Sequence, residues 1–158
     1  MLPIPTRYFV TAAAAEGATK LNAFDNALLA AGIGNVNLVR LSSILPPGCV
    51  YDPCLQLPVG ALVPTAYGVI VSDTEGELIA AAVGVIIAED GFGAEDGFGV
   101  IMEYGGRCSR EEAHQMVNEM LDEAFARRGL VAKDKKIAAV EHRVERCGCC
   151  LAAVPMWY

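Results

Sequence analysis

Residues 63–88 read VPTAYGVIVSDTEGELIAAAVGVIIA. Two apolar runs, Val63 to Asp73 and Glu77 to Ala88, flank Thr74-Glu75-Gly76, which predicts a pair of buried strands joined by a hairpin turn. Upstream, Asn35 to Ser42 sets Val36, Leu38 and Arg40 against Asn37, Val39 and Leu41, the alternation of a strand. Pro46 and Pro47 forbid a regular continuation. Arg7 to Ala13 forms a first strand, and the loop AAEGATKL leads to a short helix, Ala23 to Ala31, capped by Asn22 and stopped by Gly32. Downstream, the hexapeptide AEDGFG occurs twice in tandem, over 88–93 and 94–99, as an exposed connection to a strand from Val100 to Tyr104. Ser109 with Glu112 forms a capping box. Ala113, Met116, Val117, Met120, Leu121, Ala124 and Phe125 then give an amphipathic helix that Gly129 ends. Lys133, Lys135 and Lys136 make a solvated patch before a strand from Ile137 to Val144, and a last strand covers Leu151 to Trp157. About seven strands and two helices without regular alternation define an α+β domain with mostly antiparallel pairing.

The 158 residues carry 12 Lys plus Arg against 19 Asp plus Glu, a net charge of −7, and 54% are apolar. A chain of this length buries a sufficient core as one domain without disulfides or metal. The acidic balance and the absence of a Lys/Arg-rich run argue against nucleic acid or an anionic membrane as a partner. The longest apolar run, Leu78 to Ala88, is too short to span a bilayer as a helix, and the first residues lack the basic segment of a secretory signal, so a cytoplasmic protein is expected. Its six cysteines would then stay reduced. A zinc or redox site would need Cys49, Cys54, Cys147 and Cys150 to converge. The stronger expectation is no metal, with cysteine acting as a small core residue beside the run LAAVPMWY.

Conventional catalytic signatures are scarce. The Gly32-Ile33-Gly34 turn precedes a strand rather than opening a helix, so it fails as a dinucleotide site. His114 lies on the amphipathic helix, and His142 stands between Glu141 and Glu145 as possible partners. Three of the four lysines lie in the solvated patch and Lys20 lies in a polar loop, leaving no candidate to hold pyridoxal phosphate. What remains is a strand that ends in Ser42-Ser43 and runs into Ile44-Leu45-Pro46-Pro47.

In its full context, LNAFDNALLAAGIGNVNLVRLSSILPPG, that serine pair resembles the pyruvoyl-dependent arginine decarboxylases. The resemblance continues through LPVGALVPTAYGVIVSD (57–73), IMEYGGRCSREEA (101–113) and IAAVEHRVERCGC (137–149). It implies a four-layer α/β/β/α sandwich, a homotrimer with active sites between protomers, and decarboxylation of L-arginine to agmatine. It also implies self-cleavage into residues 1–42 and 43–158, with a pyruvoyl group at position 43 and no pyridoxal phosphate. On a strained turn the Ser43 hydroxyl would attack the Ser42 carbonyl. The resulting ketone offers what natural side chains lack, a carbonyl that forms a Schiff base with an amino acid and accepts electrons as carbon dioxide leaves.

By motif, Asn37 in NVN resembles the residue that assists processing or positions the pyruvoyl carbonyl. Glu103 in IMEY resembles the proton donor, a role suited to a carboxyl flanked by Ile101, Met102 and Tyr104. Asp25 in AFDNALL resembles the residue that receives the substrate guanidinium. Two alternatives stay open: the same chemistry on histidine or aspartate, and a non-enzymatic cysteine-rich metal-binding module.

Overall fold

The computed structural model describes residues 1–89 and 97–158, so the AEDGFG repeat falls largely outside the described residues. The chain runs through β1 (Arg7–Tyr8), β2 (Thr11–Glu16), α1 (Lys20–Ala30), β3 (Asn37–Arg40), β4 (Ile44–Leu45), β5 (Val50–Tyr51) and β6 (Leu62–Ser72). It continues through β7 (Leu78–Ala88), β8 (Gly99–Gly106), α2 (Arg110–Arg128), β9 (Ala132–Arg143) and β10 (Gly148–Trp157). One sheet has the order β3-β6-β10-β1-β5, with β2 also on β10, and the other has the order β4-β8-β7-β9. Pairing is antiparallel except for β1 with β5 and β3 with β6.

The hairpin expected around Thr74-Glu75-Gly76 is not formed. β6 pairs with β10 and β3, whereas β7 pairs with β8 and β9, so the turn carries the chain from one sheet to the other. The physical reason lies in the side chains: both runs are apolar on both faces, so each is satisfied as a central strand covered on both sides. The turn is held instead by the residue that follows β9: Gly76 N–H donates to the Val144 carbonyl (2.7 Å) and Val144 N–H to the Glu77 carbonyl (2.9 Å).

The first expected strand also divides. β1 and β2 keep one register against β10, Tyr8 opposite Met156 and Thr11 opposite Ala153, which places Phe9 opposite Pro155. Proline has no N–H to give, so the ladder is interrupted there. β2 runs on to Glu16, absorbing part of the expected loop.

Helix α1 starts earlier than expected, because Thr19 rather than Asn22 is its cap: the Asn22 N–H donates to Thr19 Oγ1 (3.1 Å). Gly32 follows the helix at φ 81°, as its expected stop requires. For α2 the capping box is present, with Ser109 N–H donating to Glu112 Oε2 (2.7 Å) and Glu112 N–H to Ser109 Oγ (3.2 Å). The three lysines expected before β9 belong to it, and Lys135 donates to Asn118 and Asp122 on α2.

Three buried clusters account for the packing. One joins the sheets and includes Tyr8, Leu45, Ala66, Val83, Ile101, Cys150 and Val154. A second sets Ala82, Ile86 and Val100 against Val117, Leu121 and Phe125 of α2. The third sets Leu151 and Ala153 against Ala23 and Ala27 of α1. The cysteines divide accordingly. Cys49 and Cys150 belong to the first cluster, Cys147 and Cys149 to the third, and Cys54 is exposed. All six are free, and no group of three or more His, Cys, Asp or Glu among the described residues is placed to hold a metal ion.

Candidate active site

Ser42 and Ser43 lie where the chain leaves the edge of the first sheet at the end of β3 and reaches the edge of the second at β4. Ser42 is exposed and Ser43 half-buried. Non-glycine residues with positive φ are absent among the described residues, so the strain considered for this turn does not take a left-handed form. The connection is tied at its far side by the Ser43 carbonyl, which accepts the Ile101 N–H of β8 (2.7 Å). That bond belongs to the 43–158 side of the Ser42–Ser43 peptide.

Glu103 stands two residues beyond Ile101 on the same strand, roughly 7 Å along it and on the same face. Ile101 is part of the core between the sheets, whereas Met102 and Tyr104 pack toward α2. The glycines make the close approach possible. A Cβ on Gly68 would come within 2.9 Å of the Tyr104 backbone, and one on Gly105 within 2.6 Å of the Val69 carbonyl oxygen, so β6 lies directly on this part of β8. Burial pushes the Glu103 carboxyl above its ordinary value, and the positive charge of Arg40 opposes the rise. The site therefore holds a carboxyl that retains its proton more readily than a surface glutamate does.

Arg40, which the motif reading passed over, closes the edge on the other side. Leu41 N–H donates to the Thr65 carbonyl (3.0 Å), and the next β6 carbonyl facing that edge, that of Tyr67, accepts from Arg40 Nη2 (2.8 Å). The guanidinium lies over the Tyr67 ring at 4.4 Å, beside a groove of about 380 Å³ that Leu21 and Phe24 of α1 help to line. The available signal was a charge on the face that Val36 and Leu38 otherwise make apolar.

Two residues chosen by motif are not gathered here within one chain. Asn37 opens β3, a strand's length from the serine pair, with its amide donating to the Gly60 carbonyl (3.1 Å). Asp25 is exposed on α1. His142, for which the sequence offered Glu141 or Glu145 as a partner, is bound instead to Glu16 (2.8 Å), whose carboxylate also accepts the N–H groups of Glu145 (3.2 Å) and Arg146 (2.7 Å). It is a structural residue.

Two mostly antiparallel sheets with two helices, a serine pair tied to β8 and a half-buried carboxyl two residues further along that strand define the class of an α+β enzyme. The chain belongs to the pyruvoyl-dependent arginine decarboxylase family, whose model it matches over residues 7–158. It is 50% identical over 155 residues to the pyruvoyl-dependent arginine decarboxylase of Methanocaldococcus jannaschii, covering 98% of this chain and 92% of that protein. To those of Pyrococcus horikoshii and Thermococcus kodakarensis it is 48% identical over 156 and 142 residues. These matches cover 97% and 89% of this chain and 96% and 87% of the relatives.

Membership in this family implies a covalently bound pyruvoyl group rather than pyridoxal phosphate. The residues present fit such a group at position 43. Its peptide carbonyl is already anchored to Ile101 on the side that cleavage would leave intact, and Glu103 follows two residues later on β8.

Proposed function

We propose that this protein cleaves itself between Ser42 and Ser43 and decarboxylates L-arginine to agmatine. The observation that carries the reading is that the Ser43 carbonyl is held by the Ile101 N–H of β8, two residues before the half-buried Glu103 on the same strand. In processing, Ser43 Oγ attacks the Ser42 carbonyl carbon, moving the acyl group from nitrogen to oxygen. Elimination then frees Ser42 as a carboxylate and leaves a dehydroalanine, which takes up water and loses ammonia. Once formed, the pyruvoyl ketone supplies an electrophile for the substrate amine and a sink for the electron pair released with carbon dioxide.

The remaining work falls to side chains. Glu103 delivers its proton to the substrate α-carbon after carbon dioxide has left. Asp25 receives the guanidinium through paired charge-assisted bonds. Asn37 assists processing or orients the reacting carbonyl through its amide. We read the three clusters as the interfaces of a four-layer α/β/β/α sandwich, and three copies as the working assembly, each site lying between protomers. The exposed side chains of Leu21, Val39, Ile44 and Leu62 around β3 and the serine pair support a covered edge. Six free thiols suit the cytoplasm.

Mass spectrometry of the denatured protein tests the reading. Expected are two fragments, 1–42 and 43–158, the second reactive toward carbonyl reagents, whereas Ser43→Ala stays one chain because no hydroxyl starts the acyl shift. A fully intact protein that nevertheless decarboxylates arginine overturns it. If histidine or aspartate were the better substrate, the processing would stand and the substrate would not.

A further inference from the structure

We propose that Glu16 is the anchor by which the mature protein keeps residues 1–42 as a noncovalent subunit, at the edge of the sandwich opposite the cut. The inference rests on self-cleavage between Ser42 and Ser43, which turns contacts within one chain into contacts between two. Of the five charged side chains in 1–42, Arg7, Glu16, Lys20 and Arg40 reach partners in 43–158. Arg7 donates to the Tyr158 carbonyl (2.6 Å) and faces Asp52 (3.6 Å), Lys20 meets Asp73 (3.9 Å), and Arg40 donates to the Tyr67 carbonyl (2.8 Å). Both ends of the Lys20–Asp73 pair are exposed, and solvated pairs of that kind hold little.

Glu16 differs from these. Its side chain and that of His142 are each about three-quarters covered. Oε2 meets His142 Nε2 of β9 (2.8 Å), and Oε1 accepts the N–H groups of Glu145 (3.2 Å) and Arg146 (2.7 Å) in the connection between β9 and β10. One carboxylate thus gathers three donors from the other fragment, and hydrogen bonds to a charged group are roughly twice as strong as neutral ones. The backbone supports it: Gly17 N–H donates to the Cys147 carbonyl (3.0 Å), and the Asn26 amide on α1 donates to the Glu16 carbonyl (2.9 Å). Gly148 lies opposite Glu16, and a Cβ there would come within 2.6 Å of Glu16 Oε2 and 2.9 Å of His142 Cδ2, so the carboxylate has its place because β10 begins with glycine. β2 lies on the side of β10 away from β6 and β3, and β9 is the edge of the second sheet away from β4. The anchor therefore stands across the molecule from Ser42 and Ser43, where cutting the chain leaves it intact. Retention matters for turnover because 1–42 carries Asp25 and Asn37, whereas position 43 and Glu103 belong to the other fragment.

The test follows the cleaved protein after dilution and gel filtration, with mass spectrometry measuring how much of 1–42 stays with 43–158. The wild type and Asp73→Asn, which removes only an exposed pair, are expected to keep it. Glu16→Gln, which keeps the shape and removes the charge, is expected to release it about tenfold faster or more, the order for losing hydrogen bonds to a charged group. His142→Ala, made on the other fragment, is expected to speed release by less. Arginine turnover should fall in step with the loss of 1–42, while 43–158 keeps its reactivity toward carbonyl reagents. Cleaved Glu16→Gln that holds 1–42 as long as the wild type does overturns the anchor, and so does loss of turnover with 1–42 still in place. Should Glu16→Gln fail to fold even in the uncleaved Ser43→Ala background, release from His142→Ala no faster than from the wild type overturns it. A wild-type chain that is never cleaved overturns the self-cleavage reading and this inference with it.

Discussion

At the scale of single residues, Glu103 carries the sharpest consequence. Its carboxyl sits above its ordinary value because burial disfavours the charged form, with Arg40 pulling the other way. A proton donor is competent while protonated, so turnover should be retained below the raised value and fall as pH rises through it, giving an alkaline limb. Glu103→Gln keeps the shape and removes the acid. It should still cleave at Ser42 while turnover drops on the order of 10²-fold or more, read by steady-state kinetics on enzyme whose cleavage is first shown complete by mass. Uncleaved Glu103→Gln protein would move the residue from turnover to processing. Ser43 and Glu103 could be proposed from the sequence because each sits in a motif. The bond from Arg40 to Tyr67 could not, because it depends on the β6 carbonyl left open when β3 ends, and pairing between strands 25 residues apart is invisible to local pattern.

Among the elements, the capping box of α2 was readable because it is local: Ser109 and Glu112 lie three residues apart and need no partner elsewhere. The connection between β6 and β7 was misread for the opposite reason. Two apolar runs around a Gly-containing turn fit a hairpin and a crossing between sheets equally well, and the choice depends on β10 and β9, which come much later in the chain. What lets β6 lie on β8 is the absence of side chains at Gly68 and Gly105. Gly105→Val would drive a branched side chain into the Val69 carbonyl, where even a Cβ comes within 2.6 Å. Since the clash is with backbone, it cannot be relieved by a rotamer change, and a loss of about 1–3 kcal/mol or more is expected from urea unfolding. An unchanged midpoint and slope would mean that the sheets separate freely here.

For the whole molecule, the matter is how one substrate would meet both Glu103 and Asp25, the proposed proton donor and the proposed guanidinium partner. The segment 1–42 supplies β1 to β3 and α1, and β10 pairs with both β1 and β2, so cleavage at Ser42 would leave this segment built into the first sheet. Glu16 strengthens the join through His142 and the N–H groups of Glu145 and Arg146. Although burial works against it, those hydrogen bonds hold its carboxyl below the usual range. Asp25, exposed on α1, is thus carried as a fixed part of each copy and is free to face another. A cyclic trimer uses head-to-tail contacts, in which different patches of two copies meet, so a site can draw Glu103 from one copy and Asp25 from its neighbour. Asp25→Asn should then weaken arginine binding by on the order of 2–5 kcal/mol, the range for removing one member of a buried charge pair. Citrulline, as long as arginine but uncharged, should be a poor substrate for the wild type. Processed Asp25→Asn and Glu103→Gln proteins, each nearly inactive at low arginine, should regain activity when dissociated and reassembled together. With random mixing, a site receives an intact Asp25 and an intact Glu103 with a chance of about a quarter. Recovery near that level supports a site shared between copies. Mixed trimers, confirmed by native mass spectrometry, that recover nothing would place both residues in one chain, and wild-type turnover of citrulline as fast as arginine would remove Asp25 from substrate recognition.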